Sequence, residues 1–187
     1  MKKIIFCSII CLLVCACKPT KAPEPETSIA DTLDIEEPLV ADSTLYGTCG
    51  DGTMMNTLQL ITDAGDTLTF GIDPDQEIVK GGMLTGDRMA VVGAKNDTDA
   101  ENENVAQRII NITTLLGKWT NVAKNFEIQE GGTVQSDVAA ESHPWLSWRI
   151  LNGQLLLNRD TFDILMLGPD SLYLENKEGV FAFKRQQ

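Results

Sequence analysis

Short alternating segments separated by turn residues run from residue 44 to the end of the chain, and they restrict it to an all-β fold. Leu68, Phe70 and Ile72 alternate with small or polar residues, and the turn sequence Asp-Ala-Gly-Asp at residues 63–66 precedes them. Apolar residues at every second position occupy one face of a strand. Outside the first 17 residues, we expect helix at most as a single turn near residues 113–116.

Five strands are expected between residues 44 and 112, and residues 44–115 are assigned to one small domain. The segment Gly-Gly-Met-Leu-Thr-Gly-Asp-Arg-Met-Ala-Val at residues 81–91 is similar to the central strand–turn–strand of an OB-like barrel. OB barrels often bind single-stranded nucleic acid on aromatic residues within a basic groove. In residues 44–115 the acidic residues outnumber the basic ones, and the aromatic residues are Tyr46 and Phe70. This composition argues against a nucleic-acid partner.

Eight short strands are expected in residues 116–187, with a strong hairpin signal at Asn152-Gly153. Most of the large aromatic residues of the chain lie in this half, including Trp119, Trp145 and Trp148. Because ligand cavities are lined mainly by apolar and aromatic side chains, a cavity is expected here rather than in the first half. The expected architecture is therefore two antiparallel β domains, with five strands and eight strands.

The second half opens with Gly117-Lys118-Trp119 and ends with a basic residue, Arg185, in its last strand. This arrangement resembles lipocalin-like domains, in which a Gly-x-Trp motif begins the first barrel strand. The resemblance implies that Trp119 closes one end of the barrel and packs against late-strand residues such as Phe183 or Arg185. It also implies a small apolar ligand, for which the candidate contact residues are Phe126, Trp148, Phe162, Met166 and Phe183.

A full lipocalin is about twice as long as this half, so the strands must be short and the calyx shallow or absent. Two functions remain open. The first is a non-catalytic module that binds a small apolar ligand. The alternative is a structural or protein-docking module of the cell envelope, with a filled barrel and no ligand. An enclosed apolar pocket of more than about 300 Å³ between the strands favours the first function. A filled barrel with an exposed apolar patch favours the second.

The first 16 residues are expected to be a lipoprotein signal peptide. Lys2 and Lys3 precede a short apolar run, and the small residue Ala16 is followed by Cys17. The apolar run is shorter than the roughly 20 residues that a membrane-spanning helix needs. We expect cleavage between Ala16 and Cys17 and lipid attachment to Cys17, which would anchor the protein to the membrane. The layout indicates the cell envelope, with the outer membrane of a Gram-negative bacterium as the expected location.

Residues 17–43 are expected to form a lipidated cysteine followed by a disordered tether. Residues 18–43 contain four of the seven prolines, no aromatic residue and more acidic than basic residues. Such a segment buries too little apolar surface to offset its ordering entropy. Once the signal peptide is removed and Cys17 is lipidated, Cys49 is the remaining thiol, so no intrachain disulfide is expected.

The residues that carry enzyme chemistry are sparse. His143 is the single histidine, and no nucleophile motif accompanies it. The acidic residues Asp97, Asp99, Glu101 and Glu103 lack the glycine and the final glutamate of an EF-hand loop, so a solvated acidic loop is expected instead of a calcium site. The sequence predicts a protein without a metal, a cofactor or enzymatic activity.

Overall fold

The computed structural model describes residues 41–95, 104–136 and 143–186, which belong to one compact unit, Val40–Gln187. These residues are nearly all β, as expected from the alternating pattern. They form a closed five-stranded barrel followed by a nearly closed eight-stranded antiparallel barrel. The proposed signal peptide, Cys17 and residues 18–40 lie outside the described residues. So do the four acidic residues of the loop at 97–103.

The first barrel is built from the strands β1 (Leu45–Cys49), β2 (Thr57–Thr62), β3 (Thr67–Gly71), β4 (Val79–Lys80), β5 (Arg88–Lys95) and β6 (Asn104–Asn111). Five of them follow the order β1-β2-β3-β6-β5, and the barrel closes between β5 and β1. Neighbours in this order are antiparallel except β3 and β6, which run parallel at Phe70–Asn104 and Gly71–Val105. The two-residue strand β4 also pairs with β6 and was not expected from the sequence.

Alternation along the strands builds the core of the first barrel. Leu58 and Leu60 on β2 are fully buried, and Phe70 on β3 is 2% exposed. The Phe70 ring packs against Gly93, where the pairing of β5 with β6 skips Gln107, and a Cβ at Gly93 would lie 2.5 Å from that ring. Glycine at position 93 therefore leaves room for an aromatic side chain opposite the bulge in β6. Cys49 is a free, buried thiol in the same core.

The second barrel is built from the strands β7 (Gly117–Thr120), β8 (Asn125–Ile128), β9 (Val134–Ser136), β10 (Trp148–Leu151), β11 (Gln154–Leu157), β12 (Asp160–Leu167), β13 (Ser171–Asn176) and β14 (Gly179–Arg185). They follow the order β10-β11-β12-β13-β14-β7-β8-β9. The seam between β10 and β9 is bridged by the pair Thr133–Ser147 and by a hydrogen bond of 3.0 Å from Val134 N to Leu146 O. The expected eight strands are confirmed.

A register shift in β12 breaks the alternation that the sequence suggested. Phe162 and Ile164 are buried, but the register shifts between Ile164 and Met166, and Met166 points outward. Met166 is 50% exposed and Leu167 is buried in its place. The expectation that Met166 and Phe162 both contact a ligand inside the barrel requires both side chains on the inner face, and Met166 is not there, because an extra residue in the bulged strand inverts the pattern beyond it.

The two barrels share a hydrophobic cluster. A one-turn helix, α1 (Ile112–Leu115), links them, and Ile112 and Leu115 pack in the cluster of the second barrel together with Ala90 and Ile110 of the first. The short helix was expected near residues 113–116. Since the first barrel contributes side chains to the core of the second, substitutions in this cluster are expected to affect both barrels.

Asn111, which is fully buried, fixes the link between the barrels. Its side-chain oxygen accepts a hydrogen bond from Thr114 N at 2.8 Å and caps α1. Its amide nitrogen donates to Asp87 Oδ2 at 2.6 Å and to Gly82 O at 3.2 Å. One buried amide therefore ties the helix to the loop before β5, and its polar atoms are satisfied as burial requires.

The last residues before β1 are held on the second barrel. Asn152, in the β10–β11 turn, accepts hydrogen bonds from Ser43 N at 2.8 Å and from Ser43 Oγ at 2.7 Å. It also donates from its own backbone N to Thr44 Oγ1 at 2.9 Å and from its side chain to Ala41 O at 3.2 Å. Residues 41–43, which the sequence assigned to the tether, are thus hydrogen-bonded to the folded part.

Candidate functional site

Trp119 and Arg185 form a stacked pair in the second barrel. Trp119 is completely buried, and its indole Nε1 donates to Leu115 O at 2.9 Å. The guanidinium of Arg185 lies over the indole ring, 4.2 Å from its centroid. The two residues are paired directly across β7 and β14, so strand register brings them together. The cation–π contact and the bond to Leu115 O place this stacked pair next to α1.

Arg185 also holds the backbone that enters the barrel. Its guanidinium donates to Leu116 O at 2.8 Å and to the carbonyl oxygens of Thr114 and Pro169. Gly117 has a φ of 116°, and a Cβ there would lie 2.6 Å from Arg185 Nη1. Glycine is therefore required both for the backbone conformation and for the approach of Arg185. Burial lowers the pKa of Arg185 from its ordinary value, although the charge of Asp170 opposes that shift.

Aromatic rings fill the interior of the second barrel. Phe126 makes edge-to-face contacts with Trp145 and Phe183, with centroid separations of 5.0 and 5.1 Å. Trp145 also contacts Phe162 at 5.7 Å and Phe183 at 6.3 Å. These four residues are at most 7% exposed, and we call them the aromatic cluster. Their geometry is the one that aromatic side chains prefer when they pack directly against one another.

Trp145 is the member of the aromatic cluster that the sequence did not indicate. It comes from the segment before β10 rather than from a strand, so no alternation predicts that its side chain is buried. Lys124 Nζ lies 4.3 Å from the centroid of its ring, and burial lowers the pKa of that lysine. The sequence signal for its burial was a tryptophan next to proline in a connecting segment, because exposed loops rarely carry so large an apolar side chain.

The five predicted ligand-contact residues separate into three groups. Phe126, Phe162 and Phe183 lie together in the aromatic cluster and touch one another or Trp145. Trp148 is half-buried at the edge of the barrel, where its Nε1 donates to Gln129 O at 2.7 Å. Met166 is on the outer surface. The structure therefore does not gather these five residues around one space.

A groove of about 530 Å³ lies where the two barrels meet, and we call it the junction groove. Its lining is more apolar than polar and combines residues of β1, β5, α1 and β10 with the turn before β9. The lining residues are Tyr46, Arg88, Ile112, Thr113, Leu116, Glu130, Gly131, Gly132, Trp148, Arg149 and Ile150. Its volume falls within the usual range for small-molecule sites, roughly 300–1,000 Å³.

Hydrogen bonds fix the aromatic walls of the junction groove. The hydroxyl of Tyr46 donates to Ile150 O at 2.7 Å, which joins the first barrel to β10 of the second. Burial raises the pKa of that hydroxyl, and the negative charge of Asp42 acts in the same direction. Trp148 is held by its bond to Gln129 O. Both side chains are therefore held in place by hydrogen bonds to backbone carbonyls.

Charged groups of both signs surround the junction groove. Arg88 forms an ion pair with Asp63, and the hydrogen bonds between them lower the pKa of Asp63 and raise that of Arg88. Burial opposes ionisation of Asp42, but the hydrogen bonds that it accepts and the charge of Arg149 together lower its pKa. Glu130 is exposed and also lines the groove. The basic groups near the groove are thus matched by acidic ones.

Sequence reasoning missed the junction groove because its residues are far apart in the chain. Tyr46 and Ile150 are separated by 104 positions, and only the packing of one barrel on the other brings them within hydrogen-bond distance. No local pattern indicates such a contact.

The described residues contain no group of His, Cys, Asp and Glu side chains that could hold a metal ion. Within the same ranges, no helix is long and apolar enough to span a membrane. His143 is exposed, as expected for a loop histidine. Comparison of the chain with protein-family models, curated proteins and solved structures gives no match.

Proposed function

We propose that the protein is a lipid-anchored, non-catalytic binding module of the cell envelope that engages its partner at its surface. In this proposal Cys17 carries the lipid, and residues 18–40 separate the membrane from the barrels. The second barrel serves as a packed scaffold. The first barrel and the junction groove provide surface for a partner.

The observation that carries this proposal is the aromatic cluster inside the second barrel. Trp145, Phe126, Phe162 and Phe183 pack edge to face and are nearly inaccessible to solvent. An apolar ligand within the barrel would have to displace these rings from one another. Separating packed rings removes favourable van der Waals contacts and destabilises the folded barrel, so binding of such a ligand is disfavoured. Surface binding needs no such displacement.

The balance of charge narrows the class of partner. The chain has a formal net charge of −12, so its surface repels nucleic acid and anionic headgroups. A partner that is neutral, or that carries positive charge, meets no such repulsion. This argument supports an envelope protein or an uncharged envelope component as the partner.

Gentle purification from the native membrane followed by mass spectrometry tests the proposal. When the protein is denatured, we expect no fatty acid or other apolar metabolite to be released in stoichiometric amount. The lipid at Cys17 is covalent and should stay on the chain. A stoichiometric apolar molecule released on unfolding would support a ligand-carrying barrel and would contradict surface binding.

Replacement of Cys17 by serine tests the anchor. Serine cannot form the thioether to which lipid is attached, so labelling with a palmitate analogue should fall to background and the protein should leave the membrane fraction. Cys49→Ser is the matched control, because that thiol lies buried in the first barrel and should not affect labelling. Continued labelling of the Cys17→Ser protein would refute lipidation at this position.

A further inference from the structure

The junction groove has the composition of a site for an uncharged polar ring. Its lining includes the apolar residues Ile112, Leu116 and Ile150 and the aromatic residues Tyr46 and Trp148. The polar atoms of both aromatic residues are already hydrogen-bonded to backbone carbonyls. What these residues offer a ligand is therefore mainly their ring carbon surface, on which the apolar face of a flat molecule packs.

The charges around the junction groove disfavour an ionic ligand. Arg88 is neutralised by its ion pair with Asp63, and its guanidinium lies 5.8 Å from the centroid of the Tyr46 ring. Arg149 has Asp42 as an acidic neighbour, and Glu130 adds a further negative charge. Since the two guanidinium groups are accompanied by three carboxylates, the groove has no excess positive charge with which to hold an anion.

The same charged groups suit a ligand with many hydroxyls. Guanidinium groups provide only donors, and an ionised carboxylate provides only acceptors, whereas a hydroxyl both donates and accepts. Arg149 and Glu130 are both exposed and both line the groove, so donors and acceptors are available there. A ring that presents carbon–hydrogen bonds on one face and hydroxyls around its edge matches this arrangement.

We infer that the junction groove binds an uncharged saccharide unit, with a sugar ring against Trp148 and its hydroxyls hydrogen-bonded to Arg149 and Glu130. This inference rests on the surface-binding function proposed above and specifies its ligand class. The volume of about 530 Å³ accommodates one or two sugar rings. An open groove leaves much of a ligand in solvent, so we expect a dissociation constant on the order of 1 mM for a disaccharide.

Saturation-transfer-difference NMR with cellobiose, maltose and diacetylchitobiose, added to the full chain in a detergent without a sugar headgroup, tests this site. At least one disaccharide should receive saturation from the protein. Arg149→Ala and Glu130→Gln should each weaken its binding about tenfold, as expected for the loss of a hydrogen bond to a charged group. Both positions are exposed, so these changes should leave the fold intact.

The matched controls are Arg159→Ala and Glu178→Gln, which alter exposed residues of the same types outside the groove. They should bind the disaccharide as the native chain does. Absence of binding by all three disaccharides would overturn the inference, as would binding that is insensitive to Arg149→Ala and Glu130→Gln. Laurate is tested in the same experiment as an anionic amphiphile. Binding of laurate that is weakened by Arg149→Ala would assign the groove to an anionic amphiphile and would also overturn the saccharide inference. In each case, surface binding itself would stand, because it is tested separately by whether the barrel interior holds a ligand.

Discussion

Replacing Trp119 by alanine should lower the free energy of unfolding by about 3–5 kcal/mol, the usual cost of deleting a large buried aromatic side chain. Trp119 is completely buried, and Arg185 is stacked on its ring. The substitution removes the contact area and also leaves the Arg185 guanidinium without its aromatic partner. A small folded unit with a total stability of roughly 5–15 kcal/mol would be severely weakened. Guanidinium-induced unfolding followed by far-ultraviolet circular dichroism measures this loss without relying on tryptophan fluorescence.

Tyr173→Ala provides the control for Trp119→Ala, because Tyr173 lies on the outer face of β13 and is 37% exposed. It should reduce stability far less than Trp119→Ala does. If the Trp119→Ala protein unfolds at the same denaturant concentration as the native chain, Trp119 does not close the barrel and the lipocalin-like interpretation of the Gly-x-Trp motif fails.

Trp145→Ala should also cost about 3–5 kcal/mol, because it deletes a side chain that contacts three other rings and leaves a cavity among them. Leu146→Ala is a closely matched control. Leu146 is the next residue but is 63% exposed, so its truncation should change stability by less than about 0.5 kcal/mol. Thermal and denaturant unfolding of the two variants compare the positions directly. Similar, small effects for both would show that the barrel interior is not packed around Trp145.

The strands and turns could be predicted from the sequence because they depend on local patterns. The turn at residues 63–66 joins β2 and β3, where Thr62 N donates to Asp66 O at 2.8 Å, and Asn152-Gly153 joins β10 and β11. Asn152 has a φ of 48° and Gly153 a φ of 77°, the left-handed conformations that this dipeptide readily adopts. The number of strands in each barrel followed from counting such turns.

The exceptions depend on contacts or irregularities that local patterns do not reveal. Met166 was placed on the wrong face because a bulge inserts one residue into β12. Trp145 was overlooked because it reaches the barrel interior from outside a strand. The attachment of residues 41–43 to Asn152 joins positions more than 100 residues apart. A composition typical of a tether gives no indication of such hydrogen bonds.

In the candidate site, too, local patterns could be predicted from the sequence and long-range contacts could not. The sequence identified Trp119, Gly117 and Arg185 through a short motif and its place in the strand order, and the structure puts the three in contact. It did not identify the junction groove, whose walls come from both barrels. Burial of Tyr46 against Ile150 requires that the barrels pack together, which the separate patterns of the two halves do not specify.

Calorimetric titration with laurate, applied to the native chain and to Trp145→Ala, tests most directly whether the second barrel is a filled scaffold. The native chain should show no saturable binding, because the aromatic cluster occupies the interior. In a second titration with benzene, a smaller apolar probe, Trp145→Ala should bind more tightly than the native chain, since cavities lined by apolar side chains bind such molecules. Saturable binding of laurate by the native chain that is weakened by Trp145→Ala would contradict the filled barrel and the surface-binding function built on it.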